Sequence, residues 1–314
     1  MALTRTYLPA VPASGTHGGG VACGVAAFPA FATGDTQWRL PSIQPSSNNS
    51  KATSTLPISD RGAKLRNTVR LAGRVQGAST TFQKVGKGTA STKSRHGLVP
   101  VMNVDHTNVL CMLADYYAGD WVDRLDEIKV NIDERQVIAN AGAYALGRKT
   151  DALIIDALAT TTTAVGNYTT GLSKTLILQA FESLNAADVP DDGQRFGVVG
   201  AHQWNELLNL PEFSDSDYAG DAHPWLKGTE SRKWLGITWI MHTGLPLAST
   251  DDRDVFLYHK TAIGHAIGQD VKTDITWHGD RAAHFVNHMM SQGAVLIDAT
   301  GVVAIKVDDD IAIS

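Results

Sequence analysis

A chain of 314 residues, 43% hydrophobic and 19% charged, can bury one large or two modest cores and is not globally disordered. Its net charge of -5 argues against a broad basic surface built to grip nucleic acid. Two cysteines, Cys23 and Cys111, are too few for a disulfide framework or a four-cysteine zinc site, and no run of 18 apolar residues offers a membrane-spanning helix.

Residues 1–59 hold six of the eleven prolines and a single acid, Asp35, with Ser, Thr, Gly and Asn between them. No period of 2 or 3.6 is sustained, so the segment is expected to be a flexible or extended arm. The apolar stretch from Gly18 to Ala32 is broken by glycines and Pro29 and makes a poor signal-peptide core.

A charge block follows. Nine basic residues lie between Arg61 and Arg95, and no acid stands between Asp60 and Asp105. Two β-leaning runs, Thr68 to Gln83 and Val99 to Leu113, flank a Gly/Ser/Thr-rich middle that has little to bury. This pattern predicts a long β-hairpin with a flexible tip, which needs another surface to lie on. The sign then reverses through Asp115, Asp120, Asp123, Asp126, Glu127, Asp133 and Glu134.

From about Ile132 to Thr160 the sequence predicts one long helix, acidic at its start, with an apolar stripe of Val137, Ala141, Tyr144, Ala145, Leu153, Ala157 and Leu158. At 1.5 Å per residue it would be about 40 Å long. Gly142 and Gly147 each weaken it by roughly 1 kcal/mol relative to alanine, which points to close packing or a bend. A second helix is expected over Leu176 to Leu184, a buried strand at Phe196 to Gly200, a helix at Ala201 to Leu210 and a loop over 211–233. Strands are expected at Trp234 to His242 and Asp254 to Ile267. A hairpin should join Ala294–Ile297 to Val302–Ile305 through Asp298-Ala-Thr-Gly301. The fold class is α+β.

The catalytic inventory is empty. Gly86-Lys87-Gly88-Thr89 lacks the spacing of a phosphate loop. His278, His284 and His288 lie in strand-like sequence with no cysteine or carboxylate to complete a metal set, and His259 and His265 read as ordinary strand histidines. Asp191-Asp192, Asp251-Asp252 and Asp308-Asp309-Asp310 read as solvated turns, and Trp225, Trp234, Trp239 and Trp277 as core or interface anchors. No cofactor and no metal is expected.

Several ordered motifs then become recognisable: Lys64-Leu-Arg-Asn-Thr-Val-Arg70, Thr81-Phe-Gln-Lys-Val-Gly-Lys-Gly88, Met102-Asn-Val-Asp-His-Thr107, Leu113-Ala-Asp-Tyr-Tyr-Ala-Gly-Asp-Trp-Val-Asp-Arg-Leu-Asp126, and Ile132-Asp-Glu-Arg-Gln136 with Gly147-Arg-Lys-Thr-Asp151. Over roughly residues 61–310 the chain resembles the major capsid proteins of tailed phages. The resemblance implies the capsid fold shared with the herpesvirus shell floor: an N-terminal arm (1–59), an extended loop (60–114, the hairpin at about 66–112), a peripheral domain with a spine helix (115–165 and 269–314) and an axial domain (166–268). It implies a subunit that self-assembles in the host cytoplasm into the icosahedral shell of a virion, procapsid then mature head, around double-stranded DNA. Its partners would be other copies of itself in hexamers and pentamers, with portal, scaffold and decoration proteins, passive contact with packaged DNA and no membrane. Residues 1–59 depart from the charged, partly helical arm of the family; a divergent arm, a processed leader and a shifted reading frame upstream of Asp60 all fit them.

Charge suggests how copies would meet. The basic hairpin (Lys64, Arg66, Arg70, Arg74, Lys84, Lys87, Lys93, Arg95) would lie on the acidic surface (Asp120, Asp123, Asp126, Glu127, Asp133, Glu134) of the next subunit, a heterologous contact that closes into rings. Each exposed pair contributes about 0.2–1 kcal/mol, so repetition, not strength, sets the register. Reversing the charge of Arg70, Arg74 and Lys84 together is expected to impair assembly but not folding. The competing reading is a nucleic-acid-binding module using residues 61–95, but the block carries one aromatic residue, Phe82, and so no stacking platform. A third, a hydrolase with a convergent site, would need a pocket of perturbed titratable groups.

Overall fold

Val255-Phe-Leu-Tyr258 and Val302-Val-Ala-Ile305 are apolar without a break, the pattern of strands covered on both faces. In the computed structural model, which describes residues 62–129, 133–214 and 231–311, both lie inside one sheet. The expected arm 1–59, and with it Cys23, lies outside the described residues, as do Arg61, Ile132, Trp225 and most of the expected 211–233 loop.

The described elements are, in chain order, β1 (Arg70–Gly73), β2 (Ser79–Val85), β3 (His106–Met112), β4 (Ala114–Asp123), α1 (Arg124–Lys129), α2 (Glu134–Ala159), β5 (Ala164–Val165), α3 (Lys174–Ala186), β6 (Arg195–Val199), α4 (Ala201–Asn209), α5 (Pro211–Ser214), β7 (Arg232–Trp234), β8 (Ile237–Met241), β9 (Asp252–His259), β10 (Ile263–His278), β11 (Ala283–Leu296) and β12 (Val302–Asp308). They form a four-stranded sheet β1-β10-β11-β4, a six-stranded sheet β5-β12-β9-β6-β8-β7 and the separate hairpin β2-β3.

In the six-stranded sheet the period of two divides the core. Val255, Leu257, Val303 and Ile305 face α3 and α4, packing with Ile177, Leu184, Trp204, Leu207 and Trp239. Phe256, Tyr258, Val302 and Ala304 face the other way, against Ile154, Ile155 and Leu158 of α2 and Leu65 and Val69. Removal of each such side chain from water contributes about 1.5–3 kcal/mol. Trp234 and Trp239 are anchors of the first cluster, as expected.

The long helix runs within two residues of its predicted limits, with Asp133 capping it by accepting from the Gln136 amide at 3.4 Å. Its buried face differs from the predicted stripe: Leu146, Gly147, Thr150, Asp151, Ile154, Ile155, Ala157 and Leu158 are buried, while Val137, Ala141, Tyr144, Ala145 and Leu153 are only partly covered. Alanine-rich sequence obscured the face, because alanines carry little amphipathic signal. The close packing expected at the glycines is present. A methyl group on Gly142 would stand 2.1 Å from the His288 ring, and one on Gly147 2.9 Å from the backbone nitrogen of Ala63.

Four expectations are corrected. Thr68 to Gln83 is not one hairpin arm: β1 instead pairs parallel with β10, and only β2 joins β3. The 254–267 stretch is two strands, broken by a 3-10 turn at Lys260–Ala262 that sends β9 and β10 to different sheets. The proposed 294–305 hairpin does not form, because the turn Ala299–Gly301, capped by the Asp298 side chain, redirects β12 into the six-stranded sheet, where both of its faces are buried. Trp234 to His242 is a tight β7–β8 hairpin turning on Leu235 (φ 54) and Gly236 (φ 75), both left-handed as a two-residue turn requires.

Candidate inter-subunit surfaces

The hairpin is fastened at its root. Phe82 and Cys111, from β2 and β3, are buried with Ala266 and Ile297. Two glycines of the four-stranded sheet allow that approach: a methyl on Gly264 would lie 2.7 Å from the Phe82 ring, and one on Gly293 2.1 Å from the Met112 carbonyl oxygen. Burial pushes the Cys111 thiol above its ordinary pKa. The ladder closes with the Gly86 amide donating to the Asp105 carbonyl at 2.8 Å. Beyond it the tip leaves Leu98 94% and Val101 84% exposed, with Val99 and Met102 also open to solvent.

Several basic residues of the predicted hairpin set find partners in their own chain. Arg66 grips Asp270 with both guanidinium arms, at 3.0 and 2.5 Å, and holds that carboxyl below its usual range. Lys84 pairs with Asp298 at 2.8 Å and Lys87 with Asp188 at 2.6 Å. These last two pairs flank a cleft of about 480 Å³ between hairpin and body, lined also by Pro190, His259, Thr261 and Thr300. Lys64 donates to the Met241 carbonyl at 3.2 Å, and Arg70 lies over the Phe82 ring, 5.6 Å from its centre. Arg74 is exposed at φ 58. Lys93 and Arg95 are exposed and have no ion-pair partner among the described residues.

The acids gather at one end of the four-stranded sheet. Asp120 and Asp123 lie on β4; Asp123 accepts from the Leu125 amide at 2.7 Å and so caps α1. Asp126 pairs with Lys129, and Glu127 with Arg135, which ties α1 to α2. Asp123, Asp126 and Glu134 converge on an open cavity of about 270 Å³ with Trp121 and Arg281, whose guanidinium stacks 4.5 Å from the indole centre. Asp133 stays exposed as the cap of α2. The structure thus gathers most of the acidic set, while it engages Arg66, Lys84 and Lys87 elsewhere.

Sequence reasoning missed the internal acceptors Asp188, Asp270 and Asp298, and it missed the aromatic edge beside the acids. Trp121 contacts His278 and Phe285, at ring-centre distances of 5.0 and 4.6 Å, and Trp277 contacts His284 at 4.8 Å. Leu125 and Ile128 of α1 and Ile275 of β10 are exposed. The alternation of Tyr117, Gly119 and Trp121 along β4 was the available signal. Nor is every paired acid a solvated turn. Asp309 receives Arg253 at 2.8 Å and Gln203 at 2.8 Å; burial raises its pKa, but these donors outweigh that and hold it low. Asp192 meets His259 at 3.1 Å. Among the described residues no three His, Cys, Asp or Glu side chains group as metal ligands, and no helix is long and apolar enough to cross a membrane.

Solved structures share the fold. The chain has the fold of the capsid of cyanophage P-SCSP1u (17% identity, TM-score 0.64, covering 81% of this chain and 90% of that one). It is likewise similar to the capsid of Ralstonia phage GP4 (11%, 0.62, 89% and 99%) and to a structure from Mycobacterium phage Che8 (23%, 0.58, 73% and 85%). No curated protein matches the sequence. Residues 51–309 match the phage capsid protein family, and the chain belongs to it. It is a major capsid protein, a shell-forming subunit of the virion.

Proposed function

We propose that the chain builds an icosahedral head by laying the hairpin tip of each subunit on the acidic, aromatic end of the four-stranded sheet of the next, and that it catalyses no reaction. The observation that carries this is the tip itself: Leu98, Val99, Val101 and Met102 are exposed beside Lys93 and Arg95, which have no acidic partner among the described residues of their own chain. A surface of that kind is covered in an assembly or invites aggregation. The acidic end offers both complements, Asp120, Asp123 and Asp126 for charge and Trp121, Ile275, Leu125 and Ile128 for apolar contact. In this reading the six-stranded half is the axial domain, and the four-stranded sheet with α2 is the peripheral one. Portal, scaffold and decoration proteins would be further partners, and packaged DNA a passive one.

The structure moves the decisive mutation outward from Arg70, Arg74 and Lys84. Arg70 stacks on Phe82 and Lys84 pairs with Asp298, so reversing them disturbs the subunit as well as its neighbours. Reversing Lys93 and Arg95 together leaves the fold alone. We expect this double variant to unfold in urea within about 0.5 kcal/mol of the parent, as exposed substitutions do. It should form few or no closed shells by electron microscopy and sedimentation, and assembly of the parent should weaken as salt rises. Normal shells from the double variant would sink the tip-to-sheet contact.

A further inference from the structure

Between α2 and the four-stranded sheet lies a row of fully buried polar side chains: Thr150 on the helix, His265 on β10, and His288 and Gln292 on β11. The Gln292 side-chain oxygen accepts from the Thr150 hydroxyl at 2.8 Å and meets His265 Nε2 at 3.1 Å. An amide oxygen can only accept, so neutral His265 carries its proton on Nε2 and a bare lone pair on Nδ1. His288 Nδ1 meets the Thr273 hydroxyl at 2.8 Å, while the opposite edge of its ring, with Nε2, presses on Gly142 of α2. Three atoms of this row, His265 Nδ1, His288 Nε2 and Gln292 Nε2, are buried without a hydrogen-bond partner.

The arrangement tolerates neutral imidazoles and not charged ones. Protonating His265 adds an N–H at Nδ1, where nothing accepts it. Protonating His288 leaves an N–H at Nε2 against a helix whose carbonyl groups are committed to their own ladder. Neighbouring charges do not rescue either ring. Around His265 stand Arg66 from the segment before β1, Asp270 from β10 and Asp151 from α2. Arg66 opposes protonation, Asp270 is already taken up by Arg66, and Asp151 accepts from the Lys64 and Leu65 amides. His288 faces Gly142 from α2, Thr273 from β10 and Ala118 from β4, none of them charged.

We propose that the seam between the long helix and the four-stranded sheet is a pH-sensitive joint, in which protonation of His265 and His288 loosens α2 from the sheet. Burial holds both histidines below their ordinary value, so the folded chain binds fewer protons than the unfolded one. The stabilisation is complete above about pH 6.5, the unfolded value, and is lost as pH falls through it. Each histidine lowers the folded-to-unfolded ratio by up to about tenfold per pH unit there, and the two together by up to about a hundredfold. The inference concerns the subunit alone and does not depend on how copies meet.

The test uses the full chain in solution. Unfolding by urea at pH 7.5, 6.5 and 5.5 is compared for the parent, His265→Gln, His288→Gln and the double variant. The expected result is a loss of stability toward pH 5.5 in the parent, with the pH slope reduced by up to about tenfold per unit in each single variant and by both together in the double. Hydrogen exchange of the 134–151 amides, corrected for its intrinsic pH dependence, should rise at pH 5.5 in the parent and not in the double variant. Should a variant fail to fold, NMR titration of the parent's histidine rings decides: two rings should stay neutral at a pH where exposed histidines charge. A double variant with the parent's full slope, unchanged exchange in the helix, or all histidine rings charging together near the ordinary value would each overturn the proposal.

Discussion

Replacing Asp151 by alanine is expected to destabilise the subunit by about 2–5 kcal/mol. This carboxylate is buried in α2 and accepts from the Lys64 amide at 2.8 Å and the Leu65 amide at 3.0 Å, with His242 Nε2 at 3.2 Å from it. It fastens the segment that leads into β1 onto the helix, and Leu65 enters the core immediately beside it. Alanine would leave the buried Leu65 N–H without an acceptor, at about 1–3 kcal/mol, together with the part-buried Lys64 N–H and a cavity beside Leu65. Asp151→Asn keeps an accepting oxygen for one amide and turns a donor toward the other, so it should lose roughly half as much. Urea unfolding of the purified subunit measures both. Since a domain has only about 5–15 kcal/mol in total, the alanine variant should also accumulate poorly. An Asp151→Ala subunit within about 0.5 kcal/mol of the parent would show that this junction is held by apolar packing alone.

The second large effect is expected at the hairpin root. Gly293→Ala places a methyl 2.1 Å from the Met112 carbonyl oxygen and 3.3 Å from Cys111 Sγ. The obstacle is backbone, which cannot rotate away as a flexible side chain can, so β3 must lift from β11. Overpacking of this kind costs about 1–3 kcal/mol, and the lift opens the pocket around Cys111. In a Cys23→Ser background the Cys111 thiol should react slowly with a thiol reagent in the parent and much faster in the variant. Gly73→Ala is the matched control, because a methyl there meets nothing within 4 Å and should leave stability and thiol reactivity unchanged. Equal reactivity in the parent and Gly293→Ala would mean the root yields without opening.

How much of this was legible in the sequence follows from the range of each interaction. The long helix is local and was placed within two residues of its limits; the hairpin was visible as an acid-free stretch, but its arms were drawn too long, since β2 starts only at Ser79 and β3 at His106. The helix's buried face was misread because alanine fills either side without penalty. The turns at Lys260–Ala262 and Ala299–Gly301 were read through as continuous strand or hairpin, because a single 3-10 turn removes only three residues from an otherwise apolar run. Of the site, the basic and acidic sets were visible as charge runs. Which charges are already spent was not visible, since Arg66 meets an acid 204 positions away and Lys87 one 101 positions away. Lys93 and Arg95, the two at the hairpin tip left without an acidic partner among the described residues, emerge only by subtraction.

The position of β12 has a consequence for biosynthesis. The strand sits between β5 and β9, pairing Ala304 with Ala164 and Val302 with Tyr258, and it supplies residues to both large cores. While a ribosome is still making this chain, β9 therefore presents an unpaired edge, and both cores lack the side chains of β12, until residue 308 has emerged. Contacts spanning some 140 positions form late and slowly. A nascent chain in that state is a target for chaperones and for aggregation. The six-stranded sheet thus closes only when this last strand is in place between β5 and β9.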